Sequence, residues 1–146
     1  MYGFDGGKRV KGRKRTILVD SLGLLLKVVV TEANASERTV LAFALMMLLD
    51  EQRELLSRVQ VLWVDAGYSG DAFALAVWLM IQAQVEVIHR QGPGFEVLPK
   101  RWVVERTFGW LNWYRRLSKD YERLPEMSEA AIYAVMTRIM LRRLTA

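Results

Sequence analysis

The sequence predicts an α/β fold with a mixed sheet, and three observations carry that prediction. Short apolar runs rich in Val, Ile and Leu are bounded by turn residues, as strands are. Longer stretches repeat apolar residues at helical spacing. The two kinds alternate in the order hairpin, helix, strand, helix, strand, helix, which builds a layered sheet with strands in both directions. At 146 residues the chain is read as a single domain over 1–146, long enough to enclose a core.

Each element has a local reason. Gly3 to Lys14 is Gly-rich and basic, a loop or the start of a strand. Thr16-Ile17-Leu18-Val19 reads as a strand. Asp20-Ser21-Leu22-Gly23 supplies turn chemistry, and Leu24 to Thr31 returns to close a hairpin. Ser36 is placed to cap a helix with Glu37 and Thr39 just inside, and Val40 to Leu56 continues it as one helix. Gln60 to Val64 is a short buried strand, Gly70 to Gln82 a second helix and Val85 to Ile88 a further strand. Gln91-Gly92-Pro93-Gly94 breaks the chain and Pro99 closes that loop. Lys100 to Leu117 is expected as a third helix and Met127 to Leu144 as a fourth. Met46, Met47, Met136 and Met140 are expected as core filler, with Trp102, Val103 and Trp110 in the core. Trp113 is the aromatic residue that could instead stack on a base.

Composition narrows the function classes. Hydrophobic residues make up 52% of the chain, which excludes a disordered tail. The apolar run Leu41–Leu49 falls short of the roughly 18 residues that span a bilayer, so no membrane role is expected. With no cysteine and His89 as the single histidine, thiolate and His-cluster zinc sites and Ser-His-Asp catalysis lose their ligands and bases. The missing cysteines also fit a reducing, cytoplasmic setting. Charge is concentrated at the start. Residues 1–16 hold Lys8, Arg9, Lys11, Arg13, Lys14 and Arg15 against Asp5, a surplus equal to the +5 of the whole chain. Further basic clusters lie at Arg115, Arg116 and Lys119, and at Arg138, Arg142 and Arg143. A polyanionic partner is the expectation, because counterion release from phosphates drives such binding. The competing reading is a set of solvated faces.

Two carboxylates stand out. Asp65 ends the apolar run Val61-Leu62-Trp63-Val64 and is followed by Ala66-Gly67-Tyr68. A carboxylate at a strand end beside a Gly turn is well placed to hold a metal ion. It could equally cap the turn by accepting backbone amides. Glu105 lies in the first turns of the third predicted helix. It could share that metal, or pair with Arg101 four residues earlier. Magnesium prefers such oxygen ligands, and two ions about 4 Å apart can drive phosphodiester chemistry. Two carboxylates alone make an incomplete site of that kind.

Several blocks in order carry a family resemblance: Gly6-Gly7-Lys8-Arg9-Val10-Lys11-Gly12-Arg13-Lys14-Arg15, Val19-Asp20-Ser21-Leu22-Gly23-Leu24-Leu25, Asp65-Ala66-Gly67-Tyr68-Ser69-Gly70, Arg101 to Leu111, and Tyr114 to Glu122. Over about Tyr2 to Leu144 the chain resembles the DDE transposases of bacterial insertion sequences, in the insertion-sequence-five-like branch. The resemblance implies an RNase H-like fold, Mg2+ (or Mn2+) as cofactor, transposon-end DNA as partner, strand cleavage and transfer, and a bacterial, nucleoid-associated location. By position it implies Asp65 as the second catalytic acid, Glu105 as the third, and Arg101 as the Arg of the tyrosine-arginine-glutamate-lysine signature. Leu98 and Asn112 replace the Tyr and Lys of that signature.

The resemblance also implies a first catalytic Asp on a central strand upstream of the Gly-Lys-Arg block. Before Glu32 the chain offers only Asp5 and Asp20, both expected in turns. The chain is therefore expected to be the carboxyl-terminal part of a transposase, a downstream reading frame or a decayed remnant. A missing central strand leaves two neighbours with unpaired backbone groups. Either the hairpin closes onto the Asp65 strand, or another chain fills the gap: an upstream transposase polypeptide or a second copy. The alternative function is a non-catalytic fragment that binds DNA or the intact transposase.

Overall fold

The computed structural model describes residues 2–7, 9–89, 92 and 99–145. In chain order the elements are β1 (Gly3–Asp5), β2 (Val10–Val19), β3 (Leu25–Glu32), α1 (Glu37–Glu51), α2 (Arg53–Leu56), β4 (Val61–Asp65), α3 (Asp71–Ile81), β5 (Gln84–Ile88), α4 (Pro99–Asn112) and α5 (Pro125–Leu144). Short 3₁₀ turns occupy Ala66–Tyr68 and Arg115–Leu117. The result is a mixed α/β chain in two compact units, one of Met1–Ala35 with Val104–Ala146, the other of Ser36–Val103. The Gln91–Gly94 break and Leu98 lie largely or wholly outside the described residues.

In the first unit the predicted hairpin is present, but β2 starts at Val10 rather than Thr16. The reason is a partner: β1 pairs antiparallel with its opening residues, Gly3 opposite Gly12 and Asp5 opposite Val10. Asp5 Oδ1 also accepts the Gly7 N–H at 2.9 Å, the expected turn role. β2 and β3 pair antiparallel from Arg13 opposite Glu32 to Val19 opposite Leu25. Their turn is fastened by Asp20, whose Oδ1 accepts the N–H groups of Leu22 (2.9 Å) and Leu24 (2.8 Å). Asp20 is thus a turn residue, as the sequence indicated.

Gly23 closes that turn at φ +82° and offers its carbonyl to Thr107 Oγ1 of α4 at 2.7 Å. A Cβ at Gly23 would lie 2.8 Å from that same Oγ1. Gly23→Ala is therefore expected to lower unfolding free energy by about 1–3 kcal/mol, from the positive φ and the lost approach of α4. Urea melts measure it. An unchanged midpoint would show that the turn relaxes freely.

The core of this unit joins Leu25, Val28 and Val30 of β3 to Leu111 of α4, Leu117, and Ile132 and Met136 of α5. α5 starts two residues before the expected position because Pro125 suits the first helical turn, where its missing N–H is not needed. It also closes the outer edge of β3. The Val28 N–H donates to Tyr133 Oη at 3.2 Å and the Val30 N–H to Glu129 Oε1 at 2.8 Å. Side chains thereby satisfy backbone groups that a neighbouring strand would otherwise take. The alternation of antiparallel pairing turns the backbone groups of Arg15 and Ile17 to the opposite edge of β2. Among the described residues the strand that pairs with that edge is β1, at Val10–Gly12.

In the second unit β4 and β5 pair in parallel, Val61 opposite Gln84 and Asp65 opposite Ile88, with α3 as the crossover. Its core draws on Val40, Leu41, Ala44, Leu45 and Leu48 of α1, with Val64, Phe73, Val77 and Ile81. Among the described residues the two strands form a sheet of their own. Across the strands, Trp63 Nε1 donates to Glu86 Oε2 at 2.6 Å. Lys100 Nζ sits 3.7 Å from the Trp63 ring centre and 3.6 Å from the same carboxylate oxygen.

Several element expectations are corrected. The Val40–Leu56 helix is broken at Gln52 (φ −145°, ψ 56°), which receives the end of α1 and starts α2. The Lys100–Leu117 helix ends at Asn112, because Tyr114 is extended (φ −93°, ψ 117°) before the 3₁₀ turn. Neither break contains Gly or Pro, so periodicity alone runs through both. Met46 is 54% exposed and Trp102 45% exposed, not core. Trp110 is half-buried between the guanidiniums of Arg106 and Arg143, 4.9 and 4.3 Å from its ring centre. No described helix is long and apolar enough to cross a membrane.

Candidate functional site

Asp65 is the last residue of β4, as its apolar run followed by a Gly turn foretold. Its Oδ1 accepts the Gly67 N–H at 3.0 Å, capping the 3₁₀ turn Ala66–Tyr68. The carboxylate is exposed, and its other oxygen has no hydrogen-bond partner among the described residues. The capping reading is therefore realised on one oxygen only. Arg38 Nε donates to the Gly67 carbonyl at 3.1 Å, so both backbone groups of that glycine are held. A Cβ on Gly67 would lie 3.0 Å from Glu37 Oε2 and 3.1 Å from Asp65 Oδ1. Any larger residue would press those carboxylates aside by a few tenths of an ångström, which fits the glycine of the Asp-x-Gly-Tyr pattern at this turn.

Glu37, Arg38 and Tyr68 are the residues that sequence reasoning did not assign to the site. The Tyr68 phenol is pushed up to about 12 by burial first, then by the negative charges of Glu37 and Asp65. The signal was present in Asp65-Ala66-Gly67-Tyr68 for the tyrosine. Nothing in the local sequence linked Glu37 to it. A phenol whose folded value exceeds its unfolded value of 10.0 stabilises the fold fully below pH 10. That contribution is lost as pH rises toward 12, because the folded state holds the proton longer. Tyr68→Phe is expected to remove this alkaline loss. Asp65→Asn is expected to move the phenol part of the way back toward 10. Ultraviolet titration of tyrosine ionisation, with unfolding curves from pH 9 to 12, measures both. Unchanged alkaline curves in Tyr68→Phe would place that titration elsewhere.

Glu105 lies on α4, exposed, with Arg101 one turn earlier and half-buried. Asn112 is the exposed last residue of that helix, and His89 is exposed just beyond β5. Asp65 belongs to the unit of Ser36–Val103 and Glu105 to the other unit.

The predicted basic contacts divide. Lys8 lies outside the described residues. The Arg13 side chain is 1% exposed and ion-paired to Asp120 at 3.1 Å. It also donates to the carbonyls of Glu122 (3.0 Å) and Arg123 (2.6 Å). Arg15 donates to the carbonyls of Leu117 (2.7 Å) and Lys119 (3.1 Å). These two guanidiniums hold the 117–123 segment against β2, Arg13 through three acceptors and Arg15 through two. Lys14 is half-buried, whereas Arg9, Lys11, Arg115 and Lys119 are exposed. Arg116 is exposed and bonded to Glu122 Oε1 at 2.7 Å, a contact that raises its pKa.

A family model described as "Transposase DDE domain" matches residues 62–142, a span that includes Asp65, Arg101 and Glu105. The chain is 32% identical over 123 residues to the "Putative transposase for insertion sequence element IS402" of Burkholderia cepacia, a match covering 82% of this chain and 58% of that protein. The chain thus spans less than two thirds of the length of the curated relative it matches. No solved structure matches it significantly.

Proposed function

The chain belongs to the DDE transposases of insertion sequences, and from that premise we propose that it forms part of an RNase H-like catalytic domain for DNA cleavage and strand transfer. Asp65 carries the proposal. It is an exposed strand-end carboxylate with one oxygen fixed by Gly67 and the other open, inside the family-matched span that also holds Glu105.

DDE transposases generally use a divalent metal ion. The donor chemistry here fits one in kind, because Asp65 and Glu105 offer hard anionic oxygens. It is incomplete in number, since no group of three or more His, Cys, Asp or Glu among the described residues could hold a metal. Asp65 and Glu105 would hold Mg2+ or Mn2+. When bound, such an ion stabilises charge on the attacking and leaving oxygens of a phosphodiester. Gly67 and Arg38 keep the Asp65 turn rigid, and Arg101 would orient a phosphate. Arg9, Lys11, Lys14, Arg115, Arg116 and Lys119 are the proposed phosphate contacts.

The third acid would arrive on a strand from outside these two sheets. Among the described residues no strand pairs with the β1-facing edge of β2 at Arg15 and Ile17 or with the second edge of β4, which supports this, while the far edge of β3 is already closed by Tyr133 and Glu129. The strand's source would be an upstream transposase polypeptide or a second copy. The other reading is a non-catalytic fragment that binds DNA or intact transposase. Supplying an Asp-bearing upstream segment in cis or as a second chain separates the two, because only the catalytic reading gains metal-dependent cleavage.

A further inference from the structure

Trp113 is 88% exposed, more than any other large hydrophobic residue among those described. Its backbone is firmly held. The Tyr114 N–H bonds the Leu111 carbonyl at 3.1 Å and the Leu117 N–H bonds Tyr114 at 2.8 Å. Leu111 and Leu117 are 0% and 1% exposed, so the two ends of this connection are anchored in the core. Arg15 and Arg13 then fix the segment that follows, through the carbonyls of Leu117, Lys119, Glu122 and Arg123. The indole is thus presented to solvent on a rigid mount.

Its charge setting is one-sided. The segment 113–123 carries two acids, and both are neutralised within the unit: Asp120 by Arg13 and Glu122 by Arg116. Arg115, Lys119 and Arg123 remain exposed, with no ion pair among the described residues. A second aromatic ring, Tyr121, is 64% exposed in the same segment. Exposed rings interleaved with unpaired cations match what single-stranded nucleic acid requires, flat faces for bases and cations along the phosphates. A protein partner would instead favour a contiguous apolar patch.

Resting on the DNA reading above, we propose that Trp113 is a stacking platform for an unpaired base of the DNA substrate, with Arg115 and Lys119 contacting the flanking phosphates. This assigns the segment a preference for unpaired over paired DNA, which phosphate contacts alone do not provide.

The test measures anisotropy of a labelled oligothymidine strand and of a matched duplex against salt. Trp113→Ala is expected to weaken single-strand binding by about 5- to 150-fold, the range for loss of one base–aromatic stack. Its duplex affinity and its salt slope should stay unchanged, and Trp113→Phe should retain most single-strand affinity. Arg115→Gln and Lys119→Gln should each reduce the single-strand salt slope by about 0.7. At 88% exposure Trp113→Ala should melt with the parent, which circular dichroism checks. Equal losses on single strand and duplex, or no loss on either, overturn the stacking site while leaving the DNA reading intact. Absence of DNA binding by the parent chain overturns both. Loss of self-association in sedimentation, with single-strand affinity kept, assigns the ring to a protein contact and overturns the proposal.

Discussion

Asp65→Asn and Glu105→Gln are each expected to abolish Mg2+- or Mn2+-dependent strand cleavage in a complemented enzyme, by well over about 100-fold. Loss of an outer contact to a metal ligand already costs about 10–100-fold, and a direct ligand should cost more. Each substitution keeps the shape of the side chain and removes the charge that binds a hard cation. The 146-residue chain by itself is expected to show no such cleavage, because the proposed site offers two carboxylates and holding two ions calls for more. Activity should appear when the upstream segment is supplied. The result that defeats this assignment is cleavage by the chain alone that survives Asp65→Asn and disappears in Asp20→Asn. The observed role of Asp20, bonding two backbone amides of its own turn, predicts the opposite: Asp20→Asn should affect hairpin stability and not a metal.

Arg13→Ala is expected to destabilise the fold by about 3–5 kcal/mol, the range for removing one partner of a buried ion pair. For a chain of this size that corresponds to roughly 6–20 °C in melting temperature. The substitution leaves Asp120 without its cation and takes the donor from the Glu122 and Arg123 carbonyls. Ser128, 1% exposed near the start of α5, also donates to Asp120. The loss therefore spreads from β2 through the 117–123 segment to α5. Arg13→Lys should recover only part of it, because an ammonium cannot reproduce the fork that meets three acceptors. Thermal melts of the three proteins are sufficient. A melt of Arg13→Ala within about 2 °C of the parent would return Arg13 to the phosphate-contacting set.

Local chemistry was enough for the hairpin, the strand that ends at Asp65 and the helix that carries Glu105. Each is written in consecutive residues: alternating or continuous apolar runs, a Gly turn, a helical period. The same holds for the family, whose blocks are contiguous. Asp5 and Asp20 could be read as turn residues because each bonds an amide two residues on. Glu37 could not be connected to Asp65 in this way, since the two are brought together around Gly67 and Tyr68 by the fold.

The sequence by itself therefore determined the α/β class, the membership among DDE transposases and the elements bearing both candidate acids. Tertiary structure alone decided which of the basic side chains are engaged within the chain. The basic opening run looks uniform in sequence, yet Arg13 reaches Asp120, 107 positions away, and Arg15 reaches Leu117, 102 positions away. It likewise decided that β3 ends its sheet, through Tyr133 and Glu129, and that the helices break at Gln52 and before Tyr114. A buried guanidinium, a closed strand edge and a broken helix each depend on partners from distant parts of the chain. Hydrogen-bond satisfaction is a property of the folded surroundings, not of the residue or its neighbours in sequence.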